Sequence, residues 1–415
     1  MKILFLCHRF PFPPDSGARI RPFHMLKHLT RVHDVTLASL VRSDDNDAAR
    51  PRAWRDGLQT LLAPVSELMS CWRAAATLPT RDPASMGYFY SPRLATALHA
   101  ELARQRYDFI CVHSSSMAPY VASVQGIPKM LDFADMDSQK WLAYAAHRRF
   151  PLSAGFWLEG WKLARREAEL AGLFDVCTCT TPEEIEALRN CDENPRNGWF
   201  PNGVDTDYFS MTDAPYDPDT ICFLGRMDYY PNHECILRFC ADTLPRLRRR
   251  RPRLTVLIIG ANPTRAVRRL AAQPGIEVTG SVADVRPYAR RAALSIAPLG
   301  IARGMQNKIL ESLAMGIPVV CSPIAARGID ATPGEHLLVA EDARVYADLI
   351  LHLLDNPSER RRLAAAGRAR MVSHYSWDRS MRQFDALLDQ CLSSAARRGA
   401  PASHRVVNAP GQLGV

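Results

Sequence analysis

The chain has 415 residues, 47% of them apolar, with a formal net charge of +9 and eleven cysteines. That length and apolar share exclude a small disulfide-stapled scaffold and a disordered chain, and they predict two domains with separate cores. The positive balance comes mainly from arginines spread over helical segments, so it suits a nucleotide, an anionic membrane surface or plain solubility and selects none of these.

In chain order, MKILFLC opens the sequence and its apolar run stops at His8 and Arg9, too early for a signal-peptide core. Nowhere is there a run of about 18 apolar residues that could span a bilayer. A cytoplasmic chain is expected, soluble or peripheral on the inner face of the plasma membrane. Runs at Ile3–Cys7, Val35–Leu40, Phe109–His113, Met130–Phe133 and Val176–Thr180 predict strands buried on both faces. Most cysteines fall in such runs, where a free thiol packs as a small hydrophobe. Cys177 and Cys179 form a C-x-C pair, but no second pair at zinc spacing follows, so no metal is expected.

Helical patterns at Ile20–Leu29, Ala95–Arg104, Ser138–Ala146 and Gly155–Ala171 separate these strands. That alternation predicts parallel crossovers and a doubly wound sheet. PNGVD at 201–205 and the Asp-, Pro- and Thr-rich stretch behind it mark a boundary. The strand pattern then resumes at Ile221–Leu224, Leu254–Ile259, Ile276–Val278, Leu294–Ala297 and Pro318–Cys321, and helical patterns return at Glu359–Met371 and Trp377–Leu392. The expected class is α/β, with two doubly wound parallel-sheet Rossmann-like domains facing a cleft. They span 1–204 and 205–375, and a small, polar tail over 393–415 is expected to be disordered.

Ligands of open α/β sheets bind beyond the carboxyl ends of the strands, which makes the loops after strands the places for chemistry. After the first strand, Asp15 or Ser16 is expected to cap the helix carrying Ile20, Phe23, Leu26 and Leu29. Gly17 there either shapes the turn or lets backbone approach an anion at the helix N-terminus. His113, at the end of its strand beside three serines, is a structural histidine or a partner for a sugar hydroxyl. In LDFADMDSQKW, Asp132 sits in a strand pattern and Asp135 or Asp137 is expected to cap the next helix rather than bind metal, with a catalytic base among the three as the alternative.

In the second half, Gly225 lets Arg226 leave a strand end, where its guanidinium could grip phosphate oxygens or simply face solvent. The stretch RGMQNKILESLAMGIPVV follows the strand at 294–297. A helix is expected over Met305–Met315, closed by Gly316, so amides near Gly304, Met305, Gln306 and Asn307 would point at an anion. Lys308 would add charge to the same phosphates, and Glu311, on the same face, would accept from ribose hydroxyls. The two could instead be a surface ion pair, though the apolar surroundings speak against that.

At these residues the chain resembles the retaining glycosyltransferases of family four, which have the GT-B fold. The resemblance rests on DSGARIR after the first strand, PNGVD, Leu224-Gly225-Arg226 and NKILESLAMGIPVV. More narrowly, DFADMDSQKW, GRMDYYPNHE and RGMQNKILE resemble a bacterial branch of sugar transferases tied to exopolysaccharide assembly and exosortase-type sorting.

The resemblance implies a nucleotide-sugar donor, a lipid-linked or growing glycan acceptor, transfer with retention, and no cofactor or divalent metal. It also implies that 376–392 forms a helix crossing back to the first domain. Arg226, Lys308 and His113 would be the catalytic candidates. Gly17, Gly225, Asn232, Arg303, Gly304, Met305, Gln306, Asn307 and Glu311 would bind the donor.

Two positions depart from the family. It carries a pair of glutamates at the spacing of 303 and 311, and the first falls on Arg303, which could meet a uronate, assist the diphosphate or brace the loop. The family's lysine after Arg226 is replaced where Pro231 and Asn232 stand, leaving Lys308 to supply the charge. A sugar-nucleotide epimerase of the same fold and a non-catalytic peripheral scaffold are the competing readings. Nucleic-acid binding by PRLRRRRPR at 245–253 is disfavoured because its arginines lack interleaved aromatics and a solvated helix end explains them more simply; with Arg268, Arg269, Arg290 and Arg291 they could instead face anionic lipid.

Overall fold

The computed structural model of the protein describes residues 1–42 and 57–397. The chain divides into two compact units, Met1–Phe200 with Met381–Val415, and Pro201–Ser380. Each is built on one sheet. In the first unit the strands are β1 (Lys2–Cys7), β2 (Asp34–Val41), β3 (Gln59–Pro64), β4 (Phe109–His113), β5 (Lys129–Ala134), β6 (Val176–Cys179) and β7 (Gly198–Trp199). Their order is β3-β2-β1-β4-β5-β6-β7, all parallel.

The second unit holds β8 (Asp217–Leu224), β9 (Thr255–Ile259), β10 (Ile276–Gly280), β11 (Ala292–Ala297), β12 (Val319–Cys321) and β13 (Leu338–Val339). These run β10-β9-β8-β11-β12-β13, again all parallel. The central strands are buried along their length because helices cover both faces, which is why they read as unbroken apolar runs. The strand order reverses between β1 and β4 and between β8 and β11, and at such a point the flanking loops diverge and leave a crevice at the strand ends.

β3, β7 and β13 were not expected. The latter two are two residues long, and β3 is an edge strand with a mixed pattern, so none carries a buried run. The helix Gly17–Leu29 buries Arg21, Pro22, Met25, Leu26 and Leu29, whereas Ile20 and Phe23 are half-buried. Its inner face is thus turned from the expected one, because Arg21 is drawn inward by an acid on β5.

The expected caps are also corrected. Ser16 holds the N-cap position without a side-chain bond, and Asp15 pairs instead with Arg19 at 3.1 Å. Neither Asp135 nor Asp137 caps the helix Asp137–His147. Asp135 accepts from Thr180 Oγ1 at 2.6 Å and Asp137 pairs with Lys140. The amides of Met136 and Ser138 donate to the buried Glu184 and Glu167 at 2.7 and 3.1 Å.

The PNGVD segment gains a physical reason. A Cβ at Gly203 would stand 2.7 Å from the Trp377 ring, and the Val204 amide donates to Tyr375 O at 2.7 Å. The helix Trp377–Arg397 begins in the second unit and belongs to the first from Met381 onward. Residues 393–397 of the expected tail are therefore helical, and the rest of it lies outside the described residues.

The ends of β8 and β9 touch through glycines. Gly225 N donates to Ile259 O at 3.0 Å, and a Cβ at Gly260 would stand 2.0 Å from Gly225 O, with Gly260 at φ 141°. Gly260→Ala should therefore destabilise the protein by about 2 kcal/mol or more, read as a lower denaturation midpoint. An unchanged midpoint would show that the strand ends can move apart freely.

Candidate functional site

In the second unit the reversal point collects most of the residues expected to bind a donor. The helix after β11 is Asn307–Ala314, with Gln306 at its N-cap, so it starts two residues later than expected. Gly304, at φ 58°, takes the chain through a left-handed turn, and Gln306 Nε2 donates to Arg303 O at 3.1 Å. That turn unwinds the first residues of the expected helix. Met305 therefore belongs to the loop, and the first-turn amides without intrahelical acceptors are those of Asn307 and Lys308. Asn307 Oδ1 accepts from Asn202 Nδ2 of the PNGVD segment at 3.2 Å. Gly316, at φ 69°, closes the helix as expected, and Ser312 Oγ donates to Ser295 Oγ at 3.0 Å, fixing the helix on β11.

Lys308 reaches back toward β8. Its ammonium bonds Asn232 Oδ1 and lies 4.6 Å from the centre of the Phe223 ring. Asn232 is buried and donates to Arg226 O at 2.9 Å, so it links the loop after β8 to the helix after β11. Gly225 makes room for both: a Cβ there would stand 2.6 Å from Asn232 Nδ2 and 3.2 Å from Lys308 Nζ.

Glu311 lies one turn beyond Lys308, and its carboxylate makes no hydrogen bond or ion pair with any described residue, so a surface ion pair with Lys308 is not formed. Burial pushes its carboxyl up to about 7, with Lys308 opposing, and burial pulls the Lys308 ammonium down to about 8. A half-buried carboxylate and a half-buried ammonium on one helix face, each short of compensation, are poised for a polar ligand. Arg226 forms a bidentate pair with Asp228, at 3.2 and 2.8 Å, and both side chains are exposed. Exposed pairs of this kind are worth little.

In the first unit a different polar group sits at the reversal point. Arg21 and Asp132 form a fully buried bidentate pair with both contacts at 2.8 Å, and Arg21 lies 3.6 Å from the centre of the Phe200 ring. Asp132 also accepts from Thr178 Oγ1 at 2.8 Å and from His113 Nδ1 at 2.7 Å. Burial alone would raise the Asp132 carboxyl, but the Arg21 charge and these bonds hold it well below the usual carboxylate range. Asp132 thus fixes the His113 ring at the end of β4, leaving Nε2 as the atom available to a ligand.

His8, at the end of β1, stacks on His113 with ring centres 5.8 Å apart, and its buried Nδ1 has no partner. Burial and the neighbouring His113 lower its pKa well below the ordinary range, so it is neutral. Gly17 opens its helix where a Cβ would meet nothing within 4 Å and where the backbone is not left-handed, so neither the turn nor packing requires glycine there.

Asp132, Asp135 and Asp137 diverge to separate partners, and among the described residues no group of three or more His, Cys, Asp or Glu could hold a metal ion. Neither Arg21 nor His8 was expected at this place, nor was Asp132 expected as the partner of Arg21. The signal was an arginine on the inner side of an otherwise apolar helix paired with an aspartate inside a strand run. Of the arginines in 245–253, Arg251 pairs with Asp219 and Asp355, Arg248 donates to Pro274 O and Arg246 to Asp242 O, and outside the segment Arg291 pairs with Glu277.

Residues 218–356 match the family described as Glycosyl transferases group 1, a stretch that contains Gly225, Arg226, Asn232, Arg303, Lys308 and Glu311. The chain is 25% identical to a GDP-mannose-dependent monoacylated alpha-(1-6)-phosphatidylinositol monomannoside mannosyltransferase of Corynebacterium glutamicum. That alignment covers 72% of this chain and 89% of the relative. It is 30% identical to a D-inositol 3-phosphate glycosyltransferase of Frankia alni, over 57% of this chain and 63% of the relative.

Among solved structures, sucrose-phosphate synthase from Thermosynechococcus elongatus superposes with a TM-score of 0.72 at 17% identity, covering 95% of this chain and 100% of that one. Anabaena HepE in complex with UDP-glucose superposes with a TM-score of 0.66 at 12% identity, covering 94% and 100%. The two parallel-sheet α/β units are those of the GT-B fold.

The charges on the helix Asn307–Ala314 set a pH dependence. The raised carboxyl of Glu311 contributes stability that is present below its ordinary 4.5 and lost as pH rises to about 7. The lowered ammonium of Lys308 contributes stability that is present above its ordinary 10.5 and lost as pH falls to about 8. Denaturation of the ligand-free protein should therefore show a dip in stability between about 7 and about 8, and Glu311→Gln should remove its acid limb. In the first unit, Asp132→Ala should cost about 3–5 kcal/mol, because it leaves Arg21 buried without its partner. A loss below about 1 kcal/mol in chemical denaturation would contradict that pairing.

Proposed function

We propose that the protein is a glycosyltransferase that moves a sugar from a nucleoside-diphosphate donor to a lipid-linked or growing glycan acceptor, with retention, in bacterial exopolysaccharide assembly. The observation that carries the reading is the arrangement of Lys308 and Glu311. They stand on one helix face behind the reversal point, beside a glycine that leaves the ammonium its room, within the stretch that matches the group 1 family.

In this reading Glu311 accepts from the ribose hydroxyls, while Lys308 and the amides of Asn307 and Lys308 face the diphosphate. Arg226 exchanges Asp228 for a phosphate oxygen, and Arg303 lies against the diphosphate. The bond from the anomeric carbon to the phosphate oxygen breaks with its electron pair leaving on the diphosphate. The acceptor hydroxyl oxygen bonds that carbon on the face the nucleotide leaves, and its proton passes to the released phosphate.

Fixed cations and amides stabilise the departing charge more than the intact donor, which lowers the barrier. Protein cations take this role and no divalent metal is assigned. His113, held by Asp132, is the first unit's group for a sugar hydroxyl.

The relatives support the acceptor class, since the Corynebacterium glutamicum protein is named for a phosphatidylinositol mannoside. Support for the donor class comes from the same name and from the UDP-glucose complex of the Anabaena structure. A cytoplasmic chain, peripheral at the membrane, suits such an acceptor.

Glu311→Ala should weaken nucleoside-diphosphate binding by about tenfold or more, as loss of charged hydrogen bonds to ribose would, while Lys308→Ala should mainly lower kcat. Calorimetry with UDP and GDP, then transfer assays with UDP-glucose, UDP-glucuronic acid and GDP-mannose, provide the readouts. Unaltered binding and turnover in a folded Glu311→Ala protein would sink the reading. Donor conversion without any acceptor would favour an epimerase.

A further inference from the structure

Two helices of the first unit turn an apolar face outward. In the helix Leu152–Ala171 the buried side carries Gly160, Leu163, Glu167 and Leu170, and the opposite side carries Trp157, Leu158 and Trp161. The buried side is firmly seated. A Cβ at Gly160 would stand 2.9 Å from Leu142 of the adjoining helix, and Glu159 accepts from the amides of Ala84 and Ser85 at 2.8 and 2.9 Å.

The buried Lys162 ammonium donates to the carbonyls of Thr77 and Leu78 at 3.1 and 3.0 Å. This contact joins the helix to the end of a second one, Glu67–Ala76, whose outward side carries Leu68 and Trp72 one turn apart. The outward tryptophans are therefore a surface that the packing leaves over after the inner faces are satisfied.

Their exposure is large: Leu68 83%, Trp72 71%, Phe150 83%, Trp157 56% and Trp161 50%. Scattered exposed hydrophobes are ordinary, but three of the chain's seven tryptophans on two joined helices are not. Charge around them is mostly positive. Arg148 and Arg149 precede Phe150 and Arg81 follows Leu78, while Arg165, one turn beyond Trp161, is paired with Glu169. Of the acids nearby, Glu159 is taken up by backbone amides and Glu169 by Arg165 and Arg166, while Glu67 and Asp82 offset part of the positive charge.

We propose that this two-helix face docks on the surface of an anionic lipid bilayer, with the tryptophans and Phe150 at headgroup depth and the arginines against lipid phosphates. Trp favours that depth because its ring is apolar and its N–H is polar, and flanking arginines add electrostatic attraction. Among the described residues no helix is long and apolar enough to cross a membrane, so the contact is interfacial. Of the arginines around 245–253, Arg246, Arg248 and Arg251 are tied to local acids and carbonyls, and the segment brings no exposed aromatics to seat Arg249, Arg250 and Arg253 on a bilayer. Docking does not depend on the transferase reading, because it is read without donor or acceptor.

The test is co-sedimentation of the full chain with vesicles of phosphatidylcholine alone or mixed with phosphatidylglycerol, together with quenching of tryptophan fluorescence by brominated lipid. The protein should bind the anionic vesicles, and the brominated lipid should quench it. The double variant W157S/W161S should bind about tenfold more weakly with unchanged thermal unfolding. R249E/R250E should bind as the parent does.

Absence of binding or of quenching, or equal binding by the tryptophan variant, would overturn the proposal. Concentration-dependent dimers that dissolve on the same substitutions, with no vesicle binding, would assign the face to a second copy of the chain and overturn it equally. Should the variant unfold, quenching of the parent protein by brominated anionic lipid still decides.

Discussion

A parallel sheet whose strand order reverses leaves the carboxyl ends of two central strands uncovered, because their following crossovers depart to opposite faces. Both units of this protein are organised by that constraint. Between β1 and β4 it exposes the chain ends that carry His8 and His113, and between β8 and β11 those that carry Gly225, Arg226 and the loop to Lys308. Helices cover the faces, so polar side chains there must be paired, and the strand ends are where unpaired ones can persist.

The two reversal points solve the problem of polar burial differently. In the first unit, Asp132 gathers Arg21, His113 and Thr178 into a satisfied network, and its charge is fully compensated. In the second, Lys308 has one amide oxygen and an aromatic face, and Glu311 has no partner. A satisfied network gives rigidity, whereas uncompensated groups on a helix near its N-terminus give affinity for a ligand that brings the missing charges.

Much of this was legible in the sequence. Strands buried on both faces announce themselves as apolar runs, so the central strands of both sheets were readable. The edge strands β3, β7 and β13 were not, because short edges have no reason to be apolar throughout. Lys308 and Glu311 stood out because charge inside an apolar helix needs an explanation. The start of that helix was misplaced since nothing in the letters fixed the left-handed turn at Gly304. Arg21 and Asp132 were each visible, but their pairing spans 111 residues and depends on a tertiary contact that no local pattern encodes. The caps of the helix Asp137–His147 failed for the same reason: Glu167 and Glu184 reach it from other helices. The outward tryptophans illustrate the converse, since apolar periodicity alone cannot say which side of a helix meets the core.

The central claim is that the helix Asn307–Ala314 holds a nucleoside diphosphate, with ribose on Glu311 and phosphates on Lys308 and the first-turn amides. An experimental structure of the protein with bound UDP or GDP tests it most directly. The account predicts ribose oxygens within hydrogen-bond distance of the Glu311 carboxylate and diphosphate oxygens on Lys308 Nζ. A nucleotide bound elsewhere, or bound here with Glu311 still without a partner, would contradict it.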